Sequence, residues 1–219
     1  MTRSGYYKEM RALALSKRTE HNVQTSSLNL RTIRRLYKSE KIRIDPWDLK
    51  GSRVRAAYFC DNDDNSVMVN SNLPREPKLF ALVHELKHHY VDRPSILKGL
   101  HTCGAYNENE MVEIGAEVFS AEFIYPEAEM RDLANRLGIT SSSCTPTKVV
   151  EFKRSCLAIV SYKFIVKRFE WFGFCEEGHF KHEQFQKLEE SLYGLPIYKQ
   201  AWFQRYRARR KSSPSRFRP

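Results

Sequence analysis

Two histidines four residues apart, with a glutamate directly after the first, lie in the stretch FALVHELKHHYVD as His84, Glu85 and His88. On a helix, side chains at i and i+4 stand one above the other, about 6 Å apart along the axis, so both imidazoles can reach one ion. Glu85 then flanks the ion instead of ligating it. Zinc lowers the pKa of a bound water to about 7, and a carboxylate beside that water can take its proton and pass it to a leaving amine. The H-E-x-x-H spacing joins these two requirements. Leu82, Val83 and Leu86 give the segment an apolar face, which places the helix inside the molecule.

A catalytic zinc needs a third protein ligand and one open position. The longer pattern H-E-x-x-H-x-x-G-x-x-H is excluded, because Val91 and Pro94 occupy its glycine and last histidine positions. The third ligand must then come from a second helix. The segment EMVEIGAEVFSAEFIYP offers Glu110, Glu113 and Glu117. Glu113 and Glu117 share a helix face among Ile114, Ala116, Val118, Phe119 and Ala121, a setting that suggests burial. Buried carboxylates require partners. Glu113 would be satisfied as a ligand, and Glu117 by a hydrogen bond to the outer nitrogen of a ligand imidazole; the competing reading is a solvated acidic stripe. His101, in the loop between the two helices, is a candidate transition-state donor, with an ordinary loop histidine as the alternative. Cys103 shares that loop. His89, turned about 100° from His88, reads as surface, and so do His179 and His182.

The elements that must position these residues follow from periodicity. Apolar residues at helical spacing predict helices over 5–18 and 28–41. KIRIDP, RVRAAYFC and SVMVN read as short strands, with DNDDN as the hairpin turn between the second and third. Pro74 and Pro77 mark the entry of a helix running to about Tyr90, with Pro94 beyond its end. Helices are further expected from about Asn109 to Ile124, from Pro126 to near Gly138, and near 146–157, 159–172 and 180–193. This is an α+β pattern: a small sheet beside a helical body.

Composition sets the compartment and the partners. With 219 residues, 41% of them hydrophobic, the chain can bury an ordinary core. Its five scattered cysteines contain no C-x-x-C pair, so neither a disulfide framework nor a cysteine zinc site is indicated. The N-terminal segment lacks an apolar signal region and no window is long enough to span a membrane, so a cytoplasmic protein with no membrane partner is expected. The net charge of +11 concentrates in RTIRRLYKSEKIR and in the closing RYRARRKSSPSRFRP. These basic termini suit nucleic acid or an acidic partner. The plainer reading is a solvated helix face and a disordered tail.

VMVNSNLPREPKLFALVHELKHHYVD followed by EIGAEVFSAEFIYP resembles the ImmA/IrrE family of zinc metallopeptidases. That family's pattern is a strand ending in Asn, a helix bearing H-E-x-x-H, then E-x-x-A-x-x-F-A-x-x-x-x-x-P. Here the last part reads Glu113, Ala116, Phe119, Ser120 and Pro126. The resemblance implies a zincin-like, gluzincin-type body in which His84, His88 and Glu113 bind one Zn2+ and Glu85 is the general base. It also implies the substrate, a helix-turn-helix transcriptional repressor of a phage, mobile-element or stress switch, cut by zinc-dependent endopeptidase action. On this basis the chain divides into an N-terminal helical extension (1–27), a metallopeptidase core (28–140), a helical C-terminal region packed on it (141–198) and a basic, flexible tail (199–219). Lys87 stands where the family usually has glycine, and Glu117 where asparagine is common. A second reading, from a different class, is a non-proteolytic zinc-containing regulator that binds nucleic acid or a repressor through its basic termini.

Overall fold

The computed structural model describes residues 2–99 and 110–205. The chain opens with helices α1 (Arg3–Glu20) and α2 (Leu30–Ser39). Each begins on a side chain that accepts from otherwise unpaired helix N–H groups: Thr2 from Gly5, and Asn29 from Arg31 and Thr32. Tyr6, Met10 and Ala14 of α1, and Ile33, Leu36 and Tyr37 of α2, recur at helical spacing and are buried.

Strands β1 (Arg43–Trp47), β2 (Ala56–Cys60) and β3 (Asn65–Asn70) form one sheet in the order β1-β3-β2. β3 runs parallel to β1, with Ile44 opposite Val67, and antiparallel to β2, with Tyr58 opposite Val67. The hairpin between β2 and β3 turns on Asp61, whose Oδ1 accepts from the backbone N–H groups of Asp63 and Asp64 at 2.9 and 2.7 Å. β3 ends on buried Asn70, whose side-chain amide donates to the carbonyls of Leu49 and Val54 at 3.0 and 3.3 Å. That asparagine ties the connection between β1 and β2 to the end of the central strand.

The rest is helical: α3 (Arg75–Lys87), a π-helical turn (His88–Asp92), α4 (Arg93–Leu97), α5 (Glu110–Ile124), α6 (Glu127–Arg136), α7 (Pro146–Ser155), α8 (Tyr162–Phe172) and α9 (Phe185–Tyr193). The architecture is α+β, a small sheet on a helical body. α3 packs against β2, β3 and α2 on one side and α5 on another, and α5 lies along α1. Leu79, Leu82, Val83 and Leu86 of α3 and Phe119 and Phe123 of α5 are buried in a common core. Both candidate ligand helices are therefore interior elements.

The backbone stays helical beyond the expected stop near Tyr90. Pro94 lies in the first turn of α4, where its missing N–H removes no intrahelical bond. Buried Arg18 satisfies the end of α5, donating to the Phe123 carbonyl at 2.5 Å and to the Thr25 hydroxyl at 2.9 Å. Arg168 and Glu122, paired at 3.0 Å and buried, join α8 to α5. Among the described residues no helix is long and apolar enough to cross a membrane, and Cys60, Cys144, Cys156 and Cys175 are free thiols.

Candidate metal centre

His84 and His88 stack on one face of the helix that α3 begins, their ring centroids 5.0 Å apart. Glu113, in the first turn of α5, faces both. Its Oε2 lies 3.1 Å from His84 Nε2 and its Oε1 3.8 Å from His88 Nε2. His84, His88 and Glu113 each offer a ligand atom, all within 4.8 Å of one another. Two imidazoles and one carboxylate are the donor set of a zinc site with one position left open, so these residues fit the ion. His88 and Glu113 are buried and His84 is half-buried, which gives the group an accessible side. Burial alone would lower the His84 pKa; the hydrogen bond to Glu113 and the fields of Glu85, Glu113 and Glu117 outweigh it and raise the value.

Glu85 is buried beside this group, with 5% of its surface exposed. Its Oε2 has no hydrogen-bond partner. Burial pushes its carboxyl above the usual range, against the fields of His84 and His88, which favour the anion. Glu113 raises the value further, and a hydrogen bond with the Tyr58 backbone lowers it. Unpaired buried carboxylate oxygens are costly and rare in native proteins. This one stands next to three groups able to hold a cation.

The outer nitrogen of His88 is held by Asp92, not by Glu117. Asp92 Oδ2 lies 2.7 Å from His88 Nδ1 and accepts from Lys87 Nζ at 2.7 Å. Glu117 is exposed on α5, and among the described residues no hydrogen bond joins it to either imidazole. Sequence reasoning missed Asp92, although its spacing of four from His88 was visible. The helix was expected to have ended before it.

Lys87 has no exposed surface. Its ammonium donates to Asp92 and, at 3.0 Å, to the Val112 carbonyl of α5, and lies 5.6 Å from the centre of the Tyr6 ring. The cation therefore points into the core between α3 and α5, and its carboxylate partner also orients a candidate ligand. Burial works against ionisation of Asp92, but the bonds from His88 and Lys87 hold its carboxyl below the ordinary range.

His89, expected on the surface, is half-buried, with Nδ1 3.0 Å from the Tyr58 hydroxyl. His179 and His182 are exposed. His101 and Cys103 lie outside the described residues. A separate cleft is lined by Tyr162 of α8 and by Phe180 and Phe185. None of the candidate ligands borders it.

None of the curated proteins compared with the chain matches it. The family description that does match is Peptidase_M78, the IrrE N-terminal-like domain, over residues 25–167. The matched region begins ahead of α2, takes in the sheet and both ligand helices, and ends within α8. The chain belongs to this metallopeptidase family of IrrE N-terminal-like domains.

Proposed function

We propose that the protein is a zinc-dependent endopeptidase, with His84, His88 and Glu113 as the zinc ligands and Glu85 as the general base. The observation that carries this reading is the buried Glu85 Oε2, unpartnered beside the His84, His88 and Glu113 group. A purely structural zinc site has no need of a free carboxylate oxygen next to its first ligand. When bound, zinc supplies a Lewis acid that polarises a peptide carbonyl and makes water a nucleophile near neutral pH.

The protein's own groups divide the remaining work. Glu85 Oε2 takes the proton of the attacking water and carries it to the departing amine. That oxygen is buried and has no hydrogen-bond partner to compete for the proton it takes and releases. Asp92 fixes the His88 ring through Nδ1, so that Nε2 faces Glu113. The substrate we infer is a cytosolic helix-turn-helix repressor cut in an exposed linker, on the strength of the family resemblance. A protease cleft must accept extended backbone, which a folded helix does not offer.

Co-expression with a repressor encoded beside the gene, in wild-type and Glu85→Gln forms, tests this. Glutamine keeps the size and removes the basicity, so the variant should stay folded and retain zinc while cleavage falls at least about 100-fold. Equal inactivation of the repressor by both forms, with no new fragment on a gel, would show that the protein acts by binding.

A further inference from the structure

A second set of metal-ligating side chains converges one residue along the chain from His88. His21 follows the last residue of α1, Glu40 follows α2, and His89 lies in the π-helical turn. His21 Nε2 is 2.8 Å from Glu40 Oε1, and His89 Nε2 is 3.9 Å from Glu40 Oε2. Glu20 Oε1 stands 3.8 Å from His21 Nε2, and Glu20, His21 and Glu40 offer ligand atoms all within 4.8 Å of one another. The side chains of His21, Glu40 and His89 are each less than one-fifth exposed; that of Glu20 is half exposed. We propose that Glu20, His21 and Glu40, whose ligand atoms lie within 4.8 Å of one another, form the core of a second zinc site, with His89 3.9 Å from Glu40 on its inner side, distinct from the one held by His84, His88 and Glu113.

The hydrogen bonds around His89 supply an independent argument. Arg93 Nε can only donate, and it lies 2.9 Å from the side-chain Oδ1 of Asn65, which fixes that atom as an oxygen. The Tyr58 hydroxyl donates its one proton to the same Asn65 Oδ1 at 2.7 Å. Towards His89 Nδ1, at 3.0 Å, Tyr58 can then only accept, so Nδ1 carries the proton. The other ring nitrogen, Nε2, is the one on the Glu40 side, 3.9 Å from Oε2. A ring whose far nitrogen donates to a fixed acceptor is the usual arrangement of a metal-bound histidine.

Two imidazoles with carboxylates are a zinc-type donor set. The local charge is suitable. Lys17 Nζ pairs with the outer Glu20 Oε2 at 2.8 Å and sits 4.4 Å from the centre of the Tyr90 ring, leaving Oε1 toward His21. Glu20 and Glu40 against Lys17 give a net single negative charge to receive a dication. Tyr90 donates to Glu40 Oε1 at 2.8 Å and steadies the carboxylate that both imidazoles share. An ion here displaces a proton between His21 and Glu40. It then staples the ends of α1 and α2 to the turn that follows His88.

The test uses the full chain, stripped of metal and titrated with zinc, read by elemental analysis after desalting and by thermal melting. Wild type should retain about two equivalents, and the His84→Ala/His88→Ala variant about one. In that variant saturating zinc should still raise the melting temperature by roughly 5–10 °C. Glu40→Ala or His21→Ala in the same background should abolish both the equivalent and the zinc-dependent rise. The rise is measured within each variant, so loss of an ion pair alone does not mimic it, and either substitution suffices if the other fails to fold. A background variant that holds no zinc, or one whose zinc survives both substitutions, overturns the second site. Failure of the peptidase site looks different: wild type would hold one equivalent, indifferent to His84 and His88 and lost with Glu40 or His21.

Discussion

Lys87 places a full positive charge where solvent does not reach, and the fold tolerates it because Asp92 and the Val112 carbonyl replace the lost hydration. Breaking such a pair from one side is worse than never having built it. Lys87→Met should therefore cost about 3–5 kcal/mol in urea unfolding, because the buried Asp92 carboxylate loses its counter-charge. Lys87→Met with Asp92→Asn should cost less than the sum of the two single changes, and additivity would show that the groups are not coupled. Since Asp92 also orients His88, Asp92→Asn should weaken zinc binding about 10–100-fold in competition with a chelator. On α5 the two glutamates should separate cleanly. Glu113→Ala should empty the His84 and His88 site, whereas exposed Glu117→Ala should leave zinc affinity within about 3-fold of wild type. Loss of zinc in Glu117→Ala and retention in Glu113→Ala would exchange their roles.

At the scale of the elements, the ligands meet because three helices pack closely enough to exclude ordinary side chains. A Cβ built on Gly115 of α5 would stand 2.5 Å from Tyr6 Cε1 and 2.9 Å from the Tyr6 hydroxyl, so α1 rests directly on α5 backbone. That same Tyr6 ring flanks Lys87. Gly115→Ala should cost about 1–3 kcal/mol through overpacking, seen as a lower melting temperature, and Tyr6→Leu in the same chain should recover part of it by removing the atoms that clash. An unchanged melting temperature in Gly115→Ala would mean that Tyr6 has room to move. The two ligand helices were legible in the sequence because a four-residue spacing in an apolar run is a local signal. The π-helical turn was not, since Pro94 reads locally as a helix stop and only the structure shows the helix passing through Asp92 to reach it. The exposure of Glu117 was not legible for a related reason. Apolar neighbours on both sides do not tell which of two glutamates on a helix faces inward once α1 and α3 have taken the other sides of α5. His21, Glu40 and His89 carry no spacing signal at all, because three separate elements bring them together.

Across the whole molecule the charge is the part of the sequence that the peptidase chemistry leaves unused. Arg31, Arg34, Arg35 and Lys38 all lie on the exposed side of α2, so part of the positive surplus forms one solvated face while Ile33, Leu36 and Tyr37 fill the core. Residues 206–219 add Arg207, Arg209, Arg210, Lys211, Arg216 and Arg218 and no acidic residue; removing these six takes the formal charge from +11 to +5 (11 − 6). Truncation after Arg205 should leave zinc content unchanged, because every ligand discussed lies before it. Its effect on nucleic acid is the sharper measurement. Each phosphate neutralised contributes about −0.9 to the slope of log affinity against log salt, so six cations engaged on duplex DNA give a slope of about −5. We expect the full chain to bind duplex DNA weakly and with a steep salt dependence, and the truncated chain to lose about that much of the slope. A slope that survives truncation moves the contact to the α2 face, where Arg34→Ala with Arg35→Ala should flatten it by about two. A chain that never binds DNA at low salt would leave neither basic segment a role in nucleic-acid binding.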